Sequence, residues 1–218
     1  MSYFKIRSYA KINSALNVVG KKNSLHKIES IVRFINLNDE ILIKKIKSDH
    51  HKIKFIGKFS PNIKSNNTVS RLFRIIDKRK LLKNKYRIII KKNIPQKAGL
   101  GGGSINAATI LNFLTKKRLI KVSDKEKIKI ANLVGSDVIL GIHSKNLILR
   151  SNNSIKTFLI KKKISVLIVK PDFGCSTMKI FSLVNKFTKT KFNYPSKNMF
   201  NFEFLKKMKN DLEFIALN

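Results

Sequence analysis

Four of the chain's nine glycines fall in one stretch, Pro95-Gln96-Lys97-Ala98-Gly99-Leu100-Gly101-Gly102-Gly103-Ser104-Ile105-Asn106-Ala107-Ala108. Glycine lets a backbone turn sharply and approach a ligand closely, and the segment that follows, Asn106 to Leu114, has the composition of a helix. A helix entered through such a loop presents unpaired N–H groups and the positive end of its dipole, which is the chemistry of a phosphate cradle. No Gly-Lys-Ser/Thr follows at Walker spacing, and the dinucleotide fingerprint Gly-x-Gly-x-x-Gly after a strand does not fit either. The bland alternative is a flexible strand-to-helix turn, which seldom needs three consecutive glycines.

The elements that must hold this loop are legible from periodicity. Alternating or β-branched runs at Tyr3 to Arg7, Ala10 to Val19, His26 to Ile35, Glu40 to Ile46, His51 to Ile56 and Tyr86 to Lys91 predict strands. Asn66 or Asn67 can cap a helix with Val69, Leu72, Phe73, Ile75 and Ile76 at helical spacing, ahead of the Lys78 to Lys80 charge run. A second helix is expected from about Ser104. A third starts at Ser123, with Glu126 completing a capping box, and stops at Gly135. Residues 144–170 return to strand character and end in the apolar run Ile164 to Val169, and helices are expected at Thr177 to Lys186 and Phe202 to Leu217. The Asn152 to Ser154 turn and the Lys161 to Lys163 run mark a soft boundary, giving an α+β protein with a domain over 1–155 and a smaller one over 156–218.

At 218 residues with 43% apolar content the chain can build a true core. Its 47 Lys and Arg against 12 Asp and Glu give a formal charge of +35, the sort of imbalance that suggests nucleic acid. Only 8 of those cations are Arg, and Lys is accompanied by 22 Asn and abundant Ile, as in a chain from an A- and T-rich gene. The charge is therefore read as compositional, on solvated faces. Aromatics do not interleave with a basic stripe, and no RNA-recognition signature is present. One cysteine, Cys175, excludes an intramolecular disulfide, and His26, His50, His51 and His143 offer no zinc-ligand spacing, so no protein-held metal is expected. No apolar run of signal-peptide length follows Lys5 and Arg7, and no stretch approaches the ~18 residues of a membrane span. A soluble, cytoplasmic protein is expected.

The pattern Pro-x-x-x-Gly-Leu-Gly-Gly-Gly-Ser-x-Asn-Ala-Ala resembles the ATP loop of the GHMP small-molecule kinases. Tyr9-Ala10-Lys11-Ile12-Asn13, His26 within Leu25-His26-Lys27, Val134-Gly135-Ser136-Asp137-Val138 and Asn210-Asp211-Leu212-Glu213 occur in the order found in the 4-diphosphocytidyl-2-C-methyl-D-erythritol kinase branch. The similarity covers essentially the whole chain. It implies a two-domain GHMP kinase fold whose N-terminal domain is of the ribosomal S5 domain 2-like type, with ATP as phosphoryl donor and magnesium arriving with it. It further implies Asp137 as the base that takes the substrate hydroxyl proton, and Lys11 as the charge holding Asp137 and the transferring group. Pro95, Gly99, Leu100, Gly101, Gly102, Gly103, Ser104 and Asn67 would bind nucleotide. Asn13, His26, Thr177 and Phe181 would bind a cytidine diphosphate-linked alcohol, with histidine gripping and Phe181 stacking on the base. Lys11 and Asn13 share one strand face by the two-residue period. Phosphoryl transfer asks for positioning and charge neutralisation more than covalent help, so these groups suffice for it.

The chain also departs from the pattern. Leu25 stands where the family usually has Tyr, Lys97 and Ala98 replace common glycines, and no third glycine-rich motif follows Asn-Asp-Leu-Glu, so the second domain is expected to be incomplete. Another GHMP kinase, a truncated inactive homologue and a basic RNA-binding protein remain the alternatives at this stage.

Overall fold

A computed structural model of the chain describes residues 2–23, 25–161, 164–170, 174 and 176–217, with Thr177 and Met178 described by their backbone alone. The chain divides into two compact units: Met1–Ala10, Ile35–Gln96 and Leu100–Ser144 form the first, and Lys11–Phe34, Lys97–Gly99 and Lys145–Asn218 the second. Strands β1 (Phe4–Lys22) and β2 (Leu25–Ile46) pair with each other and contribute a stretch to each unit. The sequence predicts four shorter strands here. The polar residues that read as breaks, Ser8 and Asp39, are instead buried and hydrogen-bonded, so the extended backbone continues through them.

In the first unit β3 (Lys52–Ile56) runs parallel to β4 (Lys85–Lys91), and β4 runs antiparallel to the end of β2, with Ile43 opposite Ile88 and Ile41 opposite Ile90. The two-residue period places Ile41, Ile43, Tyr86, Ile88 and Ile90 on one sheet face. There they meet Val69, Leu72, Phe73 and Ile76 of α1 (Thr68–Lys78) and Ile110, Leu111 and Leu114 of α2 (Gly102–Lys116) in one core. Asn67 caps α1 through the N–H groups of Val69 and Ser70, and Ser70 reciprocates in a full capping box. Ser123 caps α3 (Asp124–Val134) by accepting from the Glu126 N–H, but the Glu126 carboxylate pairs with Arg79 at 3.5 Å rather than closing the expected box. After Gly135 a short helix, α4 (Val138–His143), completes the unit.

In the second unit β5 (Asn146–Leu149) lies antiparallel to the beginning of β2 and forms a hairpin with β6 (Ile155–Phe158). Ala15, Ile31 and Ile148 pack there against Phe192 and Phe200. Among the described residues Ile164 to Val169 form no strand, and Leu167 and Val169 are well exposed. Helix α5 covers Thr177–Ser182, shorter than expected, and closes through the contacts of Leu183 N–H with Ile180 and Val184 N–H with Phe181. The single helix expected over Phe202 to Leu217 is instead α6 (Phe202–Lys206) and α7 (Glu213–Leu217). Between them Asn210 makes a parallel bridge with Leu16 of β1. Asn210 Oδ1 accepts from Leu212 N–H at 3.1 Å, and Asp211 Oδ2 accepts from Val18 N–H and the Thr188 hydroxyl, each at 2.7 Å. The local Asn210 acceptor competes with helix continuation, and the distant partners of Asp211 hold the backbone in its non-helical path. Among the described residues no helix is long and apolar enough to cross a membrane.

Candidate active site

The glycine segment connects the end of β4 to α2. Lys97, Gly99 and Gly101 all have positive φ, at 53°, 70° and 70°. Two glycines thus sit where only glycine is unstrained, and Lys97 occupies the same left-handed region, so the loop keeps its path although a common glycine is absent. Helix α2 begins two residues earlier than expected, at Gly102, with Gly101 as its N-cap and Ile105 N–H as donor to the Gly101 carbonyl at 2.8 Å. The N–H groups of Gly102, Gly103 and Ser104 are therefore those a helix leaves without intrahelical acceptors. Among the described residues a Cβ at Gly99 would meet no atom within 4 Å, whereas one at Gly103 would lie 3.0 Å from Thr68 Oγ1, at the start of α1. The α1 N-terminus thus abuts the loop. Leu100 is buried beside it, and Pro95 and Ser104 are half-buried.

Asn67 is committed to its cap. Its Oδ1 accepts from Val69 N–H at 3.0 Å and Ser70 N–H at 3.1 Å, and its Nδ2 donates to the carbonyls of Lys64 at 2.9 Å and Ser65 at 3.3 Å. Both acceptor sites and both donors are used.

Under the loop lies a polar cluster that sequence reading did not single out. Asp39 Oδ1 accepts from the N–H groups of Asn93 and Ile94, each at 2.8 Å, while Oδ2 accepts from Asn106 Nδ2 at 2.9 Å and pairs with the Lys92 ammonium. Asp39, Lys92 and Asn106 are all buried.

Asp137 is the residue preceding α4, half-buried, with no side-chain bond capping that helix. Helix α4 packs closely on α2: a Cβ at Gly141 would stand 2.6 Å from the Ala108 Cβ and 3.0 Å from Ile105 Cδ1. One turn further along α2, Asn112 Nδ2 donates to the carbonyls of Gly141 and Ile142 at 3.3 and 3.0 Å and approaches Ser144 Oγ at 3.3 Å. These contacts hold α4 against the stretch of α2 from Ile105 to Asn112.

The remaining predicted residues belong to the second unit. Lys11 is only 4% exposed and its ammonium donates to Asn13 Oδ1 at 3.3 Å, as their shared strand face requires. His26 meets Phe181 with ring centroids 5.3 Å apart, and a second ring that sequence reading missed, Phe187, lies 6.5 Å away on a half-exposed segment. Among the described residues His26 Nε2 is buried without a hydrogen-bond partner. Such an orphaned atom is costly in a folded protein and fits a site awaiting a polar ligand. Leu25 is 75% exposed and, adjacent to His26 along β2, faces the other side of the strand. The side chain of Thr177, and Cys175 altogether, lie outside the described residues.

Residues 67–146 match the family model of the GHMP kinases N terminal domain. The chain is 53% identical over 219 residues to a 4-diphosphocytidyl-2-C-methyl-D-erythritol kinase of Pelagibacter ubique strain HTCC1062, covering 100% of this chain and 78% of that one. With the enzyme of that name from Fusobacterium nucleatum the identity is 36% over 197 residues, covering 88% of this chain and 67% of the relative. A crystal structure of 4-(cytidine 5'-diphospho)-2C-methyl-D-erythritol kinase superposes with a TM-score of 0.72 at 20% identity, over 98% of this chain and 77% of the other. A Methanococcus jannaschii mevalonate kinase aligns over 73% of this chain and 57% of its own length, with a TM-score of 0.52 at 16% identity, a likeness of fold. A glycine loop opening α2, an aspartate ahead of α4 and identity sustained from end to end of the chain place it in the 4-diphosphocytidyl-2-C-methyl-D-erythritol kinase family of GHMP kinases.

Proposed function

We propose that this protein transfers the γ-phosphoryl group of ATP to the 2-hydroxyl of 4-diphosphocytidyl-2-C-methyl-D-erythritol, a step of non-mevalonate isoprenoid precursor synthesis. The observation that carries the reading is the 53% identity to a kinase of that name along the whole chain. Each part of the site has a task in it. The space that the described residues leave at Gly99 and the first N–H groups of α2 suit the phosphate chain, whose charge they meet with a helix dipole and backbone donors. Magnesium, arriving on the phosphate oxygens, supplies further neutralisation. Asp137 takes the proton of the attacking hydroxyl; as the new oxygen–phosphorus bond forms, the bridging bond breaks and its electron pair leaves on ADP. The buried Lys11 ammonium, held by Asn13, offsets the charge that spreads over the phosphoryl oxygens. His26, with its unpartnered Nε2, reads the polar edge of cytosine while Phe181 covers a face of the ring.

The test is ADP release by the purified protein with ATP, magnesium and the cytidine diphosphate-linked alcohol, compared with Asp137→Asn. Loss of a general base lowers turnover by about 10²–10⁴-fold, and the ADP dissociation constant should stay near wild type because the cradle is intact. Substrate-independent ATP hydrolysis, or turnover undiminished in Asp137→Asn, refutes the assignment. Steeply salt-dependent RNA affinity without nucleotide binding favours a basic RNA-binding protein instead.

A further inference from the structure

We propose that Asp39 is a positioning residue for the phosphate loop, fixing both of its limbs from beneath without touching the nucleotide. The proposal rests on the reading of residues 99–104 as the ATP cradle. Asp39 is fully buried, so it reaches no ligand itself. Its carboxylate is saturated: two backbone N–H groups on one oxygen, an amide and an ammonium on the other. These partners have a common property. Lys92, Asn93 and Ile94 are the last residues before the loop, and Asn106 lies in the second turn of the helix that leaves it. One carboxylate therefore clamps the entry and the exit of the whole glycine segment.

The clamp also presses on the loop itself. A Cβ at Gly102 would stand 3.1 Å from Lys92 Nζ and 3.1 Å from Ile94 Cγ2, so the first turn of α2 rests directly on the ion pair and its anchored neighbour. Asn106 shows which interaction dominates. Its Oδ1 is buried and has no partner among the described residues, because the amide is turned to give Nδ2 to Asp39. Turning it over would aim a carbonyl oxygen at the carboxylate. A buried ion pair contributes little stability relative to apolar side chains of similar volume, but its bonds are directional. Here the directions are those that set the N–H groups of the cradle.

Two variants of the chain test this: Asp39→Asn, and Asp39→Leu combined with Lys92→Met, which leaves no unpaired buried charge. Calorimetric titration with magnesium ADP and, separately, with the cytidine diphosphate-linked alcohol is read alongside a thermal melt. Misplaced donors should weaken ADP by about tenfold or more. Affinity for the alcohol, whose predicted ligands lie in the other unit, should stay within about twofold. A residue with a merely structural role would instead reduce the competent fraction for both ligands alike. Equal loss of both, ADP affinity within about twofold of wild type in a cooperatively melting variant, or collapse of the double variant as well as the single one overturns the proposal. Failure of the unsubstituted protein to bind ADP removes the cradle reading itself, and is seen before any substitution is made.

Discussion

Gly99→Ala separates two reasons for glycine in the loop, its backbone angle and the space it leaves. Gly99 has φ +70°, and among the described residues a Cβ there would meet no atom within 4 Å. The protein alone therefore resists alanine only through the angle, at about 1–2 kcal/mol for an L-residue in the left-handed region. The smaller freedom of the unfolded chain offsets about 0.4–1 kcal/mol of that. A net loss of ~1 kcal/mol lowers Tm by about 2–4 °C in a chain of this length. Nucleotide binding should suffer more. If phosphate oxygens occupy the open space, the methyl group lifts them from their N–H donors, and losing one charge-assisted hydrogen bond worth ~1.5–3 kcal/mol raises Kd about 10–150-fold. The assay is calorimetric titration with magnesium ADP, beside the melt of the nucleotide-free protein. A Kd within about threefold of wild type, accompanied by the expected small drop in Tm, would show that no phosphate lies at Gly99. Gly101→Val is a poorer probe, because a β-branched residue at φ +70° on the N-cap of α2 mixes folding with binding.

Phe181→Ala should weaken the cytidine diphosphate-linked alcohol by the ~1–3 kcal/mol of a lost base stack while leaving ADP unchanged; equal titration curves for wild type and variant would remove Phe181 from the base site. Leu25→Tyr should leave both ligands unaffected, since Leu25 is exposed on the strand side opposite His26, and tighter binding of the alcohol by the tyrosine variant would show that this face belongs to the pocket. Stability should also depend on pH through His51, whose ring packs 4.4 Å from Phe73, accepts Tyr86 N–H on Nδ1 at 3.0 Å and lies 3.2 Å from Asp77 by Nε2. Burial holds this imidazole below its ordinary pKa against the pull of Asp77. The unfolded chain then binds the proton more tightly, so the stabilisation is complete above pH ~6.5 and is lost as pH falls from there toward the lower folded value. Denaturant titrations at several pH values should show wild type losing stability below neutrality more steeply than His51→Gln, and parallel curves would contradict this.

What the sequence made legible was local. The Asn67 and Ser123 caps, the Gly135 stop, the helix after the glycines and the shared face of Lys11 and Asn13 each depend on residues within a few positions of one another. The Asp39 cluster depends on partners 53 to 67 residues further along, and no local pattern distinguishes its carboxylate from a turn residue. Asn36, Asn38 and Asp39 together look like a break between strands, whereas Asp39 is buried with four partners and the β-structure runs through all three. Phe187 was equally hidden: it follows α5 in a segment without regular structure, and only the fold brings its ring near His26.

The same distinction explains the end of the chain. Asn210-Asp211-Leu212-Glu213 helped to narrow the resemblance to one kinase branch, and the bonds that Asn210 and Asp211 make in the fold are to the protein's own backbone and a threonine hydroxyl. Asp211 accepts from the Val18 N–H and the Thr188 hydroxyl, and the backbone around it exchanges hydrogen bonds with Leu16. Glu29, fully buried on β2, takes Asn17 Nδ2 at 2.8 Å and the N–H groups of Lys191 and Phe192 at 2.6 and 3.1 Å. Two carboxylates thus fasten the irregular segments after α5 to the second-unit stretches of β1 and β2, the strands that also carry Lys11, Asn13 and His26. Few carboxylates exist in a chain with 12 Asp and Glu against 47 Lys and Arg, and a buried one needs several donors to offset its desolvation. Asp39 and Glu29 meet that condition with four and three donors, each beneath or beside a segment assigned to a ligand. In so basic a protein, a buried acid is where the fold fixes its backbone, and the site residues follow from the segments so fixed.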